Sequence, residues 1–202
     1  MLSLAQIFTF LFLMLGPFKI IGPFSKITSG ASPVLIRQIA IRAILFSSIA
    51  IILAATIGQK ILTNFGIPVQ ILAIVGGMIL FIVALLNIIQ QFSPLAPNDA
   101  NLAPPSLAMA IHPLAFPTIV TPYGIAAVIC FLSVCPDLNS RLIIGAMVLG
   151  IMVMNLIIML ITRYIYKYLA IVLILLGVIL GVVQVALGFM FMYNQFRALL
   201  KL

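Results

Sequence analysis

Residues 16 to 24 read Gly16-Pro-Phe-Lys-Ile-Ile-Gly-Pro-Phe24, and they close an apolar stretch that begins at residue 3. The rest of the chain is equally apolar: 65% of its 202 residues are hydrophobic, 6% are charged, and the mean hydropathy is +1.42. Soluble domains carry about 25% charged residues, so a cytosolic enzyme, a disordered chain and a fibrous repeat are excluded. Two Gly-Pro pairs inside such a stretch predict a membrane-spanning helix that is broken.

Six stretches are apolar and long enough to cross the hydrocarbon core, which takes about 20 helical residues. They cover residues 3–24, 38–61, 68–91, 107–133, 141–162 and 168–193. Ser32-Pro33 predicts a helix start, and Asn64 to Pro68 predicts a tight turn between the second and third stretches. We therefore expect an all-α membrane protein whose single membrane domain covers residues 1–202.

The two halves of the chain resemble each other at an offset of about 100 residues. The matches pair Pro17 with Pro117, Pro23 with Pro122, and Gly76–Leu80 with Leu176–Leu180. Coincidence is the alternative, because glycine, proline and aliphatic residues are common in membrane helices. A repeat predicts that both halves contain the same broken helix.

A polar linker over residues 93–106 separates repeat 1, residues 1–92, from repeat 2, residues 107–202. Each repeat holds three spans, and three is odd, so the second repeat must enter the membrane from the opposite side. The expected fold therefore has six transmembrane helices in two inverted three-helix repeats, with spans one and four broken.

The two breaks are the candidate binding site. Thr121-Pro122 predicts the start of a half-helix, and Gly22-Pro23 predicts one that stops before Gly30. Half-helix starts expose amide donors that suit a carboxylate, whereas proline kinks in packed helices are the alternative. The predicted substrate-binding residues are Gly16, Pro17, Lys19, Ile20, Ile21, Gly22, Pro23, Pro117, Thr118, Ile119, Val120, Thr121, Pro122 and Gly124.

Few other polar side chains lie in the spans. His112 is the candidate for proton coupling, with an interfacial histidine as the alternative. Lys19 either meets a substrate carboxylate or extends to the membrane interface. Asn87 and Gln184 are expected to hydrogen-bond the unwound backbone, and Asn155 to do this or to join helices.

No chemistry other than binding is indicated. Cys130 and Cys135 have no metal-ligand partners at suitable spacing and are expected to act as small hydrophobic residues. No nucleophile and base pair and no phosphate loop is apparent, so we expect neither an enzyme nor a metal or other cofactor.

The runs Gly16–Phe24, Gly76–Phe81, His112–Gly124 and Gln184–Gly188 resemble the MarC family of bacterial and archaeal inner-membrane proteins. The most specific part is Pro-Leu-Ala-x-Pro at 113–117 followed by Thr-Pro-x-Gly at 121–124. The resemblance implies two inverted halves and transport of small neutral amino acids, glycine and alanine, coupled to protons. Gly16 stands where the family usually has asparagine, and Lys19 lies inside the break.

The net charge of +8 comes from ten Lys and Arg against Asp99 and Asp137, and we assign it to loops and not to a nucleic-acid partner. The expected partners are the lipid bilayer, a small neutral solute and protons, and a homo-oligomer is compatible with the sequence. The N-terminal side collects Lys60, Arg141, Arg197 and Lys201, and the opposite side Lys19, Lys26, Arg37, Arg42, Arg163 and Lys167. This bias predicts that both termini lie outside the cytoplasm, and the resemblance to the MarC family implies a prokaryotic inner membrane. A membrane accessory or stress-related protein without transport activity is the alternative function.

Overall fold

The structure is a computed structural model that describes residues 4–92, 104–135 and 137–200. Most of these residues are helical. The helices are α1 Leu4–Leu15, α2 Phe18–Ile27, α3 Pro33–Asn64, α4 Val69–Phe92, a 3-10 turn Leu107–Ala110, an irregular helical segment Ile111–Ile119, α5 Pro122–Val134 and α6 Leu138–Leu199. Residues 93–103 of the predicted linker lie outside the described residues.

The capping residues of the sequence set several helix ends. Ser32 caps α3, because its hydroxyl accepts a hydrogen bond from the Leu35 N–H at 3.3 Å. The turn after α3 contains Gly66 at a φ of 61°, a backbone conformation that glycine adopts without strain. Both predicted features are therefore confirmed. At the start of α6, the Ser140 N–H donates to Asp137, and this hydrogen bond lowers the pKa of the Asp137 carboxyl.

Among the described residues, five helical segments are long and apolar enough to cross a membrane. These are Leu4–Ile27, Pro33–Asn64, Val69–Ile89, Leu138–Tyr164 and Gly177–Leu199. The pair Leu107–Ile119 and Pro122–Ser133 is bent by 60° and makes a sixth if it is counted as one span. An integral, multi-pass membrane protein follows from these lengths and compositions.

Helix α6 reverses direction along its length. Asn155 bonds the Leu15 carbonyl at 2.8 Å, and Gln184 bonds the Leu13 carbonyl at 2.8 Å. In a straight helix residues 155 and 184 would lie about 43 Å apart, whereas their two acceptors are neighbours on one helix. The chain must therefore fold back between residues 155 and 184. For this reason α6 supplies two membrane-length segments.

Contacts between helices fix their relative directions. Gly77 faces Gly188 and Ile88 faces Gly181, so α4 and the last segment of α6 are antiparallel. Helices α1 and α5 are also antiparallel, because the Phe10 and Phe131 rings lie 6.2 Å apart and Leu15 contacts Gly124. Small residues at these crossings allow the backbones to approach closely, as is usual in membrane helix packing.

The core contains buried residues from α1 to α6, and the outer surface is apolar. Phe10 packs edge-on against Phe191 with ring centroids 5.1 Å apart. One side of α3 carries exposed aliphatic residues: Leu45, Ile49, Ile52, Leu53 and Ile57. A contiguous apolar exterior of this kind suits contact with lipid chains.

Candidate functional site

The first break lies at Gly16-Pro17, between α1 and α2. Pro17 has no N–H, so the Leu13 carbonyl loses its partner one turn later. A Cβ at position 16 would lie 2.0 Å from the Phe12 carbonyl oxygen, so only glycine fits there. Helix α1 therefore ends before Gly16, and helix α2 begins at Phe18.

The prediction that Gly22-Pro23 starts the second half-helix is wrong. Pro23 lies inside α2 and is exposed. The fixed φ of proline is compatible with a helix, so Pro23 removes one hydrogen bond without ending the helix already begun at Phe18. The predicted end is confirmed, since α2 stops at Ile27 and Gly30 adopts a φ of 76°.

The second break lies between Ile119 and Pro122. Val120 and Thr121 are extended, and Pro122 occupies the first turn of α5. The Thr121 hydroxyl accepts a hydrogen bond from the Gly124 N–H at 3.1 Å, so the predicted cap is confirmed. The chain bends by 60° here.

Three polar side chains bind the last carbonyls of α1. Gln184 donates to the Leu13 oxygen at 2.8 Å, and Asn155 donates to the Leu15 oxygen at 2.8 Å. The Lys19 ammonium donates to the Met14 oxygen between them. Backbone acceptors that the break leaves without helical partners are thus satisfied from three separate parts of the chain.

Lys19 also joins the two breaks. Its Nζ donates to the Ile119 carbonyl at 3.4 Å and lies 5.5 Å from the centre of the Tyr123 ring. Lys19 is within about 6 Å of the middle of the Leu4–Ile27 segment along the helix axis. Its ammonium points back toward α1 and not toward the end of α2, so extension to the membrane interface is not what this side chain does.

The start of α5 has few amide donors to offer. Pro122 has no N–H, and the N–H groups of Gly124 and Ile125 already bond Thr121. Among the first four residues of α5, the Tyr123 N–H is therefore the remaining amide donor. A Cβ on Gly124 would lie 2.7 Å from the Leu15 side chain. Gly124 therefore lets α5 approach α1 closely.

The other predicted residues are divided between the core and the surface. Ile20, Ile21, Ile119 and Val120 are buried apolar residues, and Thr118 is half-buried. A Cβ added to Gly22 would have open space around it. The exposed residues among those predicted are Pro23, Pro117, Pro122, His112 and Asn87. Asn87 therefore does not match Gln184, which alone of this pair bonds the unwound backbone.

Several groups of the site were missed by sequence reasoning. They are the carbonyls of Leu13, Met14 and Leu15 and the ring of Tyr123. The Leu13 carbonyl could have been found by counting back one helical turn from Pro17.

Open space near the breaks is small. A cavity of about 10 Å³, enough for one water molecule, touches Met14 and Tyr123. A larger cavity of about 380 Å³ lies between α2, α3 and α6, with Ser25, Ser29 and Arg163 on its wall. Phe24 is fully buried and lines this second cavity on the side of α2.

The model of the MarC family of integral membrane proteins matches residues 1–200. The chain belongs to the MarC family. Comparison with curated proteins and with solved structures gives no match. Membership agrees with the multi-pass apolar helices. Both breaks of this MarC protein and the side chains that contact them lie within the matched residues.

Proposed function

We propose that this MarC protein is a secondary transporter of a small neutral solute, with glycine and alanine as the favoured substrates, and that it works by alternating access. The observation that carries the proposal is the contact of Lys19 with carbonyls of both breaks, Met14 and Ile119. Unwound backbone inside a membrane protein is tolerated where it lines a binding site or cavity. Small solutes with an ammonium group suit freed carbonyl acceptors.

The proposed architecture is two inverted three-helix halves with six spans. It is supported by the antiparallel pairs α1 with α5 and α4 with the end of α6. It is also supported by the Lys19–Ile119 contact, whose partners are 100 residues apart, the offset of the repeat. Such halves rock against each other around a site at their interface.

The proposed site suits a zwitterion of small size. The freed carbonyls accept from an ammonium group, whereas the Tyr123 N–H and the Thr121 hydroxyl are near enough to the break to serve a carboxylate. The cavity beside Met14 and Tyr123 has a volume of about 10 Å³, which is too small for an amino acid. Opening must separate the breaks, and a substrate with little side chain needs the least separation.

Proton coupling is proposed through His112. This side chain is exposed on the segment that leads to the second break. Helices α2 and α3 pack against that segment, and they carry Lys26, Arg37 and Arg42. A proton on the His112 imidazole would add a positive charge at the start of the segment.

The binding claim is tested with alanine and the variant Gly124→Val. A side chain at position 124 presses on Leu15, which is next to the first break, and on Thr121, which lies in the second. Calorimetric titration should show alanine binding to the wild type and none to Gly124→Val. Gly145→Val is the matched control, because a Cβ at Gly145 meets nothing within 4 Å. Wild-type affinity in a folded Gly124→Val would remove the α5 break from the site.

A protein without transport activity is the second candidate. It is favoured by the three side chains Lys19, Asn155 and Gln184, which already satisfy the carbonyls at the first break. In that case these contacts only stabilise a broken helix. Alanine and glycine would then leave the thermal stability of the purified protein unchanged, whereas binding to the folded state raises it.

A further inference from the structure

We propose that Lys19 makes the site selective for zwitterions: the ammonium group of the solute replaces the Lys19 ammonium on the carbonyls, and Lys19 then pairs with the carboxylate of the solute. The proposal rests on the proposed function only in placing the solute at the two breaks. It assigns a specificity-determining role to Lys19.

The groups around the Lys19 ammonium form a site for any primary ammonium. Two carbonyl oxygens, those of Met14 and Ile119, accept from it, and the face of Tyr123 lies 5.5 Å away. A primary ammonium has three N–H donors, and cations are attracted to aromatic faces at about this distance. The amino group of a small amino acid carries the same charge and the same donors as Lys19 Nζ.

One further acceptor stands beside this ammonium site. Asn155 is 1% exposed, its Nδ2 binds the Leu15 carbonyl, and its Oδ1 is buried without a hydrogen-bond partner among the described residues. Leu15 follows Met14 directly, so the amide lies next to the carbonyl that Lys19 uses. A buried acceptor without a donor is uncommon in folded proteins. An arriving ammonium group would supply the missing donor.

The charges of the chain decide which solutes can make this exchange. The sequence has only two acidic residues, Asp99 and Asp137, and neither lies in a predicted span. A simple amine would therefore bring a second cation next to Lys19 with no anion present. For two unit charges about 5 Å apart at an effective dielectric constant of about 20, the repulsion weakens binding by about two orders of magnitude.

A carboxylic acid without an amino group is also disfavoured. It would draw Lys19 off the carbonyls of Met14 and Ile119 and leave both buried acceptors unpaired. A zwitterion supplies an ammonium for the carbonyls and a carboxylate for Lys19. It therefore leaves no charge or acceptor without a partner.

Binding of three matched probes to wild type and Lys19→Met tests the exchange. The probes are alanine, ethylammonium, which lacks the carboxylate, and propionate, which lacks the amino group. In the wild type, alanine should bind at least about 100-fold more tightly than either of the others. In Lys19→Met, ethylammonium should gain about 100-fold and alanine should lose its advantage. Unchanged discrimination in Lys19→Met would overturn the proposal.

Two controls separate this result from other causes. Lys26→Met removes the same charge from the exposed end of α2 and should keep wild-type selectivity. If Lys19→Met does not fold, alanine methyl ester takes its place, because the ester keeps the ammonium and loses the negative charge. The wild type should bind the ester about 100-fold more weakly than alanine, and equal binding would contradict the exchange.

The outcomes also distinguish this inference from the proposed function. Alanine binding that is equal in wild type and Lys19→Met, with ethylammonium rejected by both, leaves the transporter in place and removes Lys19 from its specificity. Failure of every probe to bind any of these proteins contradicts both.

Discussion

The substitution Gly188→Ala perturbs the crossing of α4 with the last segment of α6. A Cβ at position 188 would lie 2.7 Å from the Gly77 carbonyl oxygen and 2.8 Å from the Phe81 nitrogen. Both are backbone atoms, so no side-chain rotation relieves the overlap. The helices must separate by about 0.7 Å to restore ordinary contact, and a gap of this size forfeits a quarter or more of the local dispersion attraction.

The expected cost follows from overpacking, which is typically about 1–3 kcal/mol. Replacing glycine by alanine in a helix also gains about 1 kcal/mol of helix propensity. Gly150→Ala shares that gain in the same helix, and its Cβ meets nothing within 4 Å. Gly188→Ala should therefore be about 1–3 kcal/mol less stable than Gly150→Ala.

The difference is measured by equilibrium unfolding in mixed detergent micelles. Maleimide labelling of the buried Cys130 reports unfolding, in a Cys135→Ser background. Gln184 lies one turn before Gly188 and binds Leu13, so the same separation should weaken that 2.8 Å hydrogen bond and lower alanine affinity. Equal stability of Gly188→Ala and Gly150→Ala would refute the close crossing.

Three more predictions concern the site and its orientation. Thr121→Val removes the cap of α5, so it should lower the stability by about 1 kcal/mol and weaken alanine binding. Thermal unfolding with and without alanine measures both effects. A variant identical to wild type in stability and in alanine binding would show that the Thr121 hydroxyl contributes to neither. His112→Ala should uncouple alanine uptake from an imposed pH gradient while alanine binding persists, and unchanged pH dependence in proteoliposomes would assign the proton elsewhere. A C-terminal alkaline phosphatase fusion should be active, because both termini are expected outside the cytoplasm, and activity of a cytoplasmic reporter at that end would reverse the orientation.

Local sequence rules, such as capping, correctly predicted helix starts at Ser32 and Thr121. They did not predict which backbone carbonyls the polar side chains bind. Ser32 and Thr121 cap helices in the structure because capping depends on residues three positions apart. Pro23 misled for the same local reason: a proline is compatible with a helix that has already started, and the start depends on the room at Gly16. The two Gly-Pro pairs are alike in sequence, and the difference in the space around Gly16 and Gly22 exists only in the folded protein.

The sequence named Gln184 and Asn155 as candidates to bond unwound backbone, but it could not show which carbonyls they reach. Asn155 and Gln184 reach α1 from 140 and 171 residues away, which depends on how α6 folds back. Interfacial extension of Lys19 looked favourable because a buried cation is costly. Two carbonyls and an aromatic face compensate that cost, and they are adjacent only in the folded protein.

The central claim is that the two breaks bind and carry a small amino acid across the membrane. Counterflow tests it most directly: vesicles containing the purified protein are loaded with unlabelled alanine and diluted into a trace of labelled alanine, so that no ion gradient is needed. The account predicts transient accumulation of label in wild-type and Gly145→Val vesicles and none with Gly124→Val. Absence of accumulation in wild-type vesicles whose protein is folded, or equal accumulation with Gly124→Val, would contradict it.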